Sequence, residues 1–204
     1  MNFDRLAPVY DKLVRLVFGK AIKRAQTRFL TEIDEQSHVL ILGGGTGWLL
    51  AELLSTKPDC RVTYIDASKK MIDMGKRRIR GQNQNISFIH GTERAIPAAC
   101  TYEVVITHFY LDLFEQNTCR EVCYLIRSHC RPGSLWLACD FVNRAWWHGA
   151  LLKTMYIFFR FTTGLRTRHL PDWRAHIQDT GFTEIERENY SGKFICSSLY
   201  KLGA

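Results

Sequence analysis

The 204 residues contain no Cys-x-x-Cys pair and no His-x-x-x-His spacing, although seven cysteines and seven histidines are present. Without either spacing the sequence offers no ready ligand set for zinc, and no metal is assigned. The odd cysteine count, with no signal-peptide pattern, implies reduced thiols and a cytoplasmic chain rather than a disulfide framework. No apolar run reaches the ~20 residues that a membrane-spanning helix needs. No repeat and no low-complexity linker divides the chain, so residues 1–204 read as a single domain. Acidic residues are the scarcer sign, 20 against 28 basic, and the net charge of +8 keeps anionic partners in view.

The most informative stretch is VLILGGGTGWLL, residues 39–50. An apolar strand at 38–42 runs into Gly43-Gly44-Gly45-Thr46-Gly47 and then a helix from about Trp48. Glycines at 43, 45 and 47 lack a Cβ, so the chain can turn sharply and let a ligand lie against backbone amides and the positive end of the helix. Taken alone, the motif also fits a tight turn that merely packs well. A second strand at 61–65 ends on Asp66, about twenty residues past the glycines, where an acid accepts hydrogen bonds from two ribose hydroxyls. Capping the next helix is the other use for such an acid, but Ser68 already stands where a cap is needed. A dinucleotide fingerprint requires a third glycine at position 48, which is Trp48. The indole argues for a cofactor without a pyrophosphate.

VLILGGGTG resembles the first motif, usually like VLDLGCGTG, of the class I S-adenosylmethionine-dependent methyltransferases, and the resemblance runs from Asn2 to Lys201. Residues 3–11, FDRLAPVYD, are similar to the entry segment of small-molecule members, including those that methylate quinone precursors. The resemblance implies that this segment covers the cofactor, with Tyr10 as a lid contact; Leu6, Tyr10, Leu13 and Val17 also share one face at helical spacing. It implies further that S-adenosylmethionine sits on Gly43, Gly44, Gly45 and Gly47, with Asp66 on the ribose and Ala67 and Met71 near the adenine. ISFIHGTE, residues 86–93, resembles the third motif and puts Thr92 and Glu93 at the adenine edge, Thr92 in place of the usual aspartate. EVVITHF, residues 103–109, resembles the fourth, with Thr107 and His108 facing the methionine end. Ile41 departs from the family pattern, since many members carry an acid there.

Strands near 38–42, 61–65, 86–90, 103–107 and 134–139 alternate with helical stretches, which predicts a parallel sheet with right-handed crossovers. Thr118-Cys119-Arg120-Glu121 reads as a capping box for a helix that stops before Pro132-Gly133, and Pro171 and Gly181 bracket another helix. Residues 182–190 and 193–201 face each other across Ser191-Gly192. The expected fold is α/β, a three-layer Rossmann-like sheet of about seven strands. It is mostly parallel, with a C-terminal antiparallel hairpin, an N-terminal helical cap over 1–35 and a substrate-lid insertion over 140–170.

That insertion holds Trp146, Trp147, His148 and a largely apolar helical segment at 151–161 interrupted by Lys153 and Arg160. Three uses compete: ordinary core over the sheet, a lid over a flat or lipid-like substrate, and peripheral docking on a membrane. Within this segment and onward to Arg174, the cations Arg144, Lys153, Arg160, Arg166, Arg168 and Arg174 outnumber Asp172. The basic helix with Lys69, Lys70, Lys76, Arg77, Arg78 and Arg80 raises an RNA partner, but a solvated face accounts for it and no RNA-binding module is appended. For catalysis His108, Asp112 and Asp140 are candidate bases near strand tips, with Tyr110 and His148 behind them. The expected function is methyl transfer from S-adenosylmethionine to a small apolar, aromatic or lipid-like acceptor, in the cytoplasm or peripheral to the inner face of a membrane. The alternatives are a tRNA or rRNA methyltransferase, and a cofactor-binding protein without turnover. The sequence does not set the oligomeric state.

Overall fold

The computed structural model describes residues 19–79, 85–143, 146–163, 167 and 169–203. The entry segment 3–11 with Tyr10 lies outside them, as do Arg80, Arg144, Arg166 and Arg168. Seven strands form one sheet: β1 (His38–Leu42), β2 (Arg61–Asp66), β3 (Ile86–His90), β4 (Tyr102–His108), β5 (Cys130–Phe141), β6 (Phe182–Tyr190) and β7 (Ile195–Leu202). Their order is β3-β2-β1-β4-β5-β7-β6. The first five pair in parallel, and β7 is antiparallel to both β5 and β6. The chain starts at β1, works outward to β3, then returns to β4 on the other side. That reversal between β1 and β4 opens a crevice beyond the strands' C-terminal ends.

Side-chain alternation along β1 explains the layering. Leu40 and Leu42 pack with Val105, Trp136 and the helix α4 (Gln116–Ser128), which contributes Cys119, Val122, Cys123 and Ile126. Val39 and Ile41 face the opposite layer with Leu49, Leu50, Leu53 and Leu54 of α2 (Trp48–Thr56). Successive strand residues point to opposite faces, so a continuous apolar strand must be covered on both sides. A third cluster joins Ile22 and Ala25 of α1 (Ala21–Thr27), Phe141, Phe194, and Leu152 and Tyr156 of α5 (Trp146–Thr163). It lies over the β4–β5–β7 side of the crevice. The short helix α6 (Trp173–Asp179) packs on α4, and α3 (Lys69–Arg78) follows β2.

Four local expectations need correction. Helix α4 starts at Gln116 with Glu115 as its N-cap and no side-chain cap bond, so Thr118 and Glu121 lie within it. The Gln116 side chain instead accepts from the Asp172 amide at 2.9 Å. Asp172, not Pro171, caps α6, accepting from the Ala175 amide at 3.2 Å. The hairpin turn is longer than Ser191-Gly192, because Lys193 is also left-handed (φ 67°) and β7 begins only at Ile195. Finally, β5 starts four residues early, and α5 runs from Trp146 to Thr163. Among the described residues no helix is long and apolar enough to cross a membrane.

Candidate active site

The turn after β1 is built on three left-handed glycines, Gly43, Gly45 and Gly47, at φ 65°, 65° and 76°. Only glycine adopts this conformation at little cost. The Gly43 and Gly44 amides donate to the Ile65 carbonyl at 2.9 and 3.3 Å, and the Gly45 amide donates to Asp66 Oδ2 at 2.8 Å. These three amides therefore bond to the tip of β2 instead of standing free for a ligand. What the turn offers is room: a Cβ on Gly45 would meet nothing closer than the Gly43 carbonyl at 4.0 Å. From below, the Tyr64 hydroxyl donates to the Gly45 carbonyl at 2.8 Å, and its ring lies where a Gly44 Cβ would come within 2.2 Å.

Asp66 is buried at the end of β2, and its second oxygen accepts from the Ser68 amide at 2.8 Å. One carboxylate thus fastens the glycine turn to the start of α3, which Ser68 caps by accepting from the Met71 amide. The same carboxylate stands on the wall of the crevice, where a ligand in front of the glycine turn would meet it. Around it a cavity of about 530 Å3 is lined on the β2–β3 side by Gly43, Gly44, Gly45, Asp66, Ala67, Met71, Thr92 and Glu93. On the β4 side its wall is Ile22, Lys23, His108, Phe109, Leu113 and Phe114. That volume is in the range of small-molecule sites.

Tyr110, a candidate base in the sequence, instead packs its ring against Gly43 and donates from its hydroxyl to Glu93 Oε2 at 2.8 Å, with burial and that carboxylate holding its pKa well above the phenol value. Lys23 of α1 lies 4.4 Å over the Trp48 ring, a cation–π contact at the wall. Phe109 has φ 53°, a conformation rarely adopted by a bulky residue, and its amide donates to the Cys139 carbonyl at 2.7 Å. Strain of this kind concentrates at functional sites. The apolar spacing of residues 109–114 was the available signal for this half of the wall. Nothing in the sequence signalled that Tyr64 braces the turn.

Other expected residues are placed off the wall. Thr107 is fully buried and accepts from the Trp136 indole at 2.8 Å, because β4 alternates and only its neighbour His108 faces the crevice. Gly47 serves packing: a Cβ there would lie 2.5 Å from the Gly75 Cα of α3. Ile41 is 1% exposed within the apolar layer over α2, so the acid common at this position has been exchanged for a core contact. Asp140 is fully buried and accepts from the Leu111 and Asp112 amides, both at 3.1 Å, and from the Phe141 amide at 2.8 Å. It holds the short 3-10 helix Leu111–Leu113 in place. Asp112 lies beside it, and its Oδ1 has no partner among the described residues. The two carboxyls stand behind the wall rather than on it. His148 is buried under the hairpin, 3.3 Å from the Gly192 carbonyl, and Arg174 is bonded to Glu184 at 2.7 and 3.0 Å.

Burial also changes what these groups can do. His108 Nδ1 has no hydrogen-bond partner among the described residues, and desolvation lowers the His108 pKa to about 3, so it is neutral near pH 7 and a weak base. Asp112 moves the other way, up to about 7 from 3.8, chiefly through burial, and Asp140 is likewise raised, first by burial and then by the Asp112 carboxyl beside it. Between pH 4 and 7 folded Asp112 keeps a proton that the unfolded chain releases. Its contribution to stability is therefore present at low pH and is lost as pH rises through that window. Asp112→Asn should gain stability relative to the parent across the same window, on the order of a few kcal/mol, in paired denaturant titrations at pH 4.5 and pH 8. A constant difference between the two proteins would mean that Asp112 is ionised throughout.

Residues 39–133 match the methyltransferase domain family. A malonyl-[acyl-carrier protein] O-methyltransferase of Halalkalibacterium halodurans is 30% identical over 147 residues, covering 69% of this chain and 53% of that protein. The ubiquinone/menaquinone biosynthesis C-methyltransferase UbiE of Paracoccus denitrificans is 31% identical over 102 residues, covering 48% and 40%. The chain thus spans about half the length of the curated relatives it matches. In fold it is similar to the N-methyltransferase NodS of Bradyrhizobium japonicum solved with S-adenosyl-L-homocysteine, with a TM-score of 0.67, 16% identity and coverage of 90% and 84%. With this sheet order and glycine turn, and a domain match that begins on β1, the chain belongs to the seven-stranded, Rossmann-like S-adenosylmethionine-dependent methyltransferases.

Proposed function

We propose that the chain transfers a methyl group from S-adenosylmethionine to a small apolar or aromatic acceptor, lipid-like acceptors included. The observation that carries this reading is the single cavity running from the glycine turn and Asp66 to the apolar wall of Ile22, Phe109, Leu113 and Phe114. The residues present fit the cofactor. Gly45 leaves open space in front of the turn, and the Asp66 carboxylate lies on the same wall as an acceptor for ribose hydroxyls. Trp48 occupies the place of the third dinucleotide glycine, which a pyrophosphate seat requires. When bound, the cofactor supplies a sulfonium methyl group open to in-line displacement.

In this reading Asp66 holds the ribose, while Ala67 and Met71 border the adenine with Thr92 and Glu93. Thr92 already accepts from the Arg94 amide at 3.4 Å, so its hydroxyl is a weaker partner than the usual carboxylate. His108 enters as a neutral hydrogen-bonding group on the acceptor half and orients the acceptor rather than removing a proton from it. The apolar wall excludes water and binds a flat or aliphatic body. The basic residues Lys69, Lys70, Lys76 and Arg77 are exposed on α3, as a solvated helix face requires, which favours a small acceptor over RNA. The seven free cysteines suit a cytoplasmic setting.

Calorimetric titration with S-adenosylhomocysteine should give saturable, one-site binding. Folded protein that takes NAD and ignores S-adenosylhomocysteine would sink the assignment. Incubation of the protein with methyl-labelled cofactor and a cell extract should then put label in the organic-soluble fraction. Label in RNA would install the nucleic-acid reading, and binding without transfer to any fraction would make the chain a cofactor-binding protein.

A further inference from the structure

Helix α5 carries a face that the methyl-transfer reading does not use. His148, Leu152 and Tyr156 are buried, spaced four residues apart, and Leu152 and Tyr156 join the apolar cluster that includes Ile22 and packs against Phe109 and Leu113. Opposite them Trp146, Trp147, Ala150, Lys153, Thr154, Ile157 and Arg160 are exposed. At 3.6 residues per turn these seven occupy an arc of about 140°. Trp146 is 94% exposed and Ile157 45%, with Ala150 between them along the centre of the arc. Lys153 and Arg160 share one flank, and the helix contains no acidic residue. Trp147 is partly anchored, its ring 6.0 Å from Phe194 and close to Gly192, whereas the Trp146 ring meets no other ring among the described residues.

We infer that this face of α5 docks on an anionic lipid surface, independently of whether the chain proves to transfer methyl groups. A tryptophan and an isoleucine in the middle of an exposed arc, beside two cations and no anion, are the composition of a helix lying in a membrane interface. Net charge of +8 favours approach to a negative surface. The exposed Lys23 and Arg24 belong to α1, with exposed Lys20 at its N-cap, and α1 packs on the same apolar cluster. The docked helix would roof the apolar half of the cavity, so an acceptor dissolved in the bilayer need not cross open water to reach it.

Flotation of the full chain with phosphatidylcholine vesicles, with and without phosphatidylglycerol, tests the inference. The protein should float with the anionic vesicles about tenfold more than with the neutral ones, and added salt should release it. Lys153→Glu/Arg160→Glu and, separately, Trp146→Ser/Ile157→Ser should each cut flotation by about tenfold while binding S-adenosylhomocysteine as the parent does. Trp146→Phe should still float but lose the blue shift in indole emission. Equal flotation with both lipids, none with either, or parent-like flotation of the Ser variant would overturn the inference. So would a dimer in sedimentation velocity that the Ser variant abolishes, which would assign the face to a second copy of the chain.

Discussion

Replacing Asp66 with alanine is expected to weaken S-adenosylhomocysteine binding by at least ~100-fold. Loss of two hydroxyl partners to a carboxylate costs about 1.5–3 kcal/mol each, and ~2.7 kcal/mol in total already amounts to that factor. The structure adds a second contribution, because the same carboxylate accepts from the Gly45 and Ser68 amides. Its removal leaves two buried donors without their acceptor and frees the turn from α3, which should lower unfolding stability by a further ~1–3 kcal/mol. Both effects can be read separately, by calorimetry below the melting transition and by denaturant unfolding without ligand. Asp66→Asn should recover part of the ribose affinity but not both amide bonds, since one of its terminal atoms donates. An affinity for the alanine variant within about fivefold of the parent, less than ~1 kcal/mol, would remove Asp66 from the cofactor site.

The largest stability effect is expected at Gly47, where Gly47→Ala should cost about 3–5 kcal/mol. Two penalties combine there. A φ of 76° is strained for any residue with a Cβ, worth about 1–2 kcal/mol. The new methyl would also stand 2.5 Å from the Gly75 Cα, and because that neighbour is backbone, α2 and α3 must move apart to admit it. Gly133 provides the internal control, with φ 87° and nothing within 4 Å of an added Cβ, so Gly133→Ala should show the conformational penalty alone. Gly45→Ala isolates the ligand side, because its methyl would enter the open space before the turn and should reduce S-adenosylhomocysteine binding more than stability. Equal losses at 47 and 133 would show that the helices yield without cost.

How far the sequence reached follows from which forces act locally. The strand–glycine–helix unit, Asp66 and the alternation of strands and helices depend on residue type at short spacing, and each stands where the pattern predicted. The antiparallel hairpin on β5 was likewise legible from turn residues. Thr107 was misplaced because the motif marks a segment, whereas a strand shows only every second residue to the crevice. Asp112 and Asp140 read as bases from their nearness to strand tips, yet Asp140 is committed to three amides, two of them from a turn 28 and 29 residues earlier. Tyr64 looked like any β-rich residue; its hydroxyl bond to Gly45 depends on how two parallel strands stack. The pKa of His108 depends on its enclosure, which no residue beside it in the chain announces.

The inward-turned amides of Gly43, Gly44 and Gly45 bear on the thermodynamics of occupancy. Because the protein itself satisfies these donors, the cradle is assembled before anything enters it, and the ordering entropy of the loop is charged to folding instead of to association. Amide exchange at these three positions should accordingly be slow in the free protein and change little on saturation. Entry rates would then be set by access to the crevice, with the seat within it already rigid.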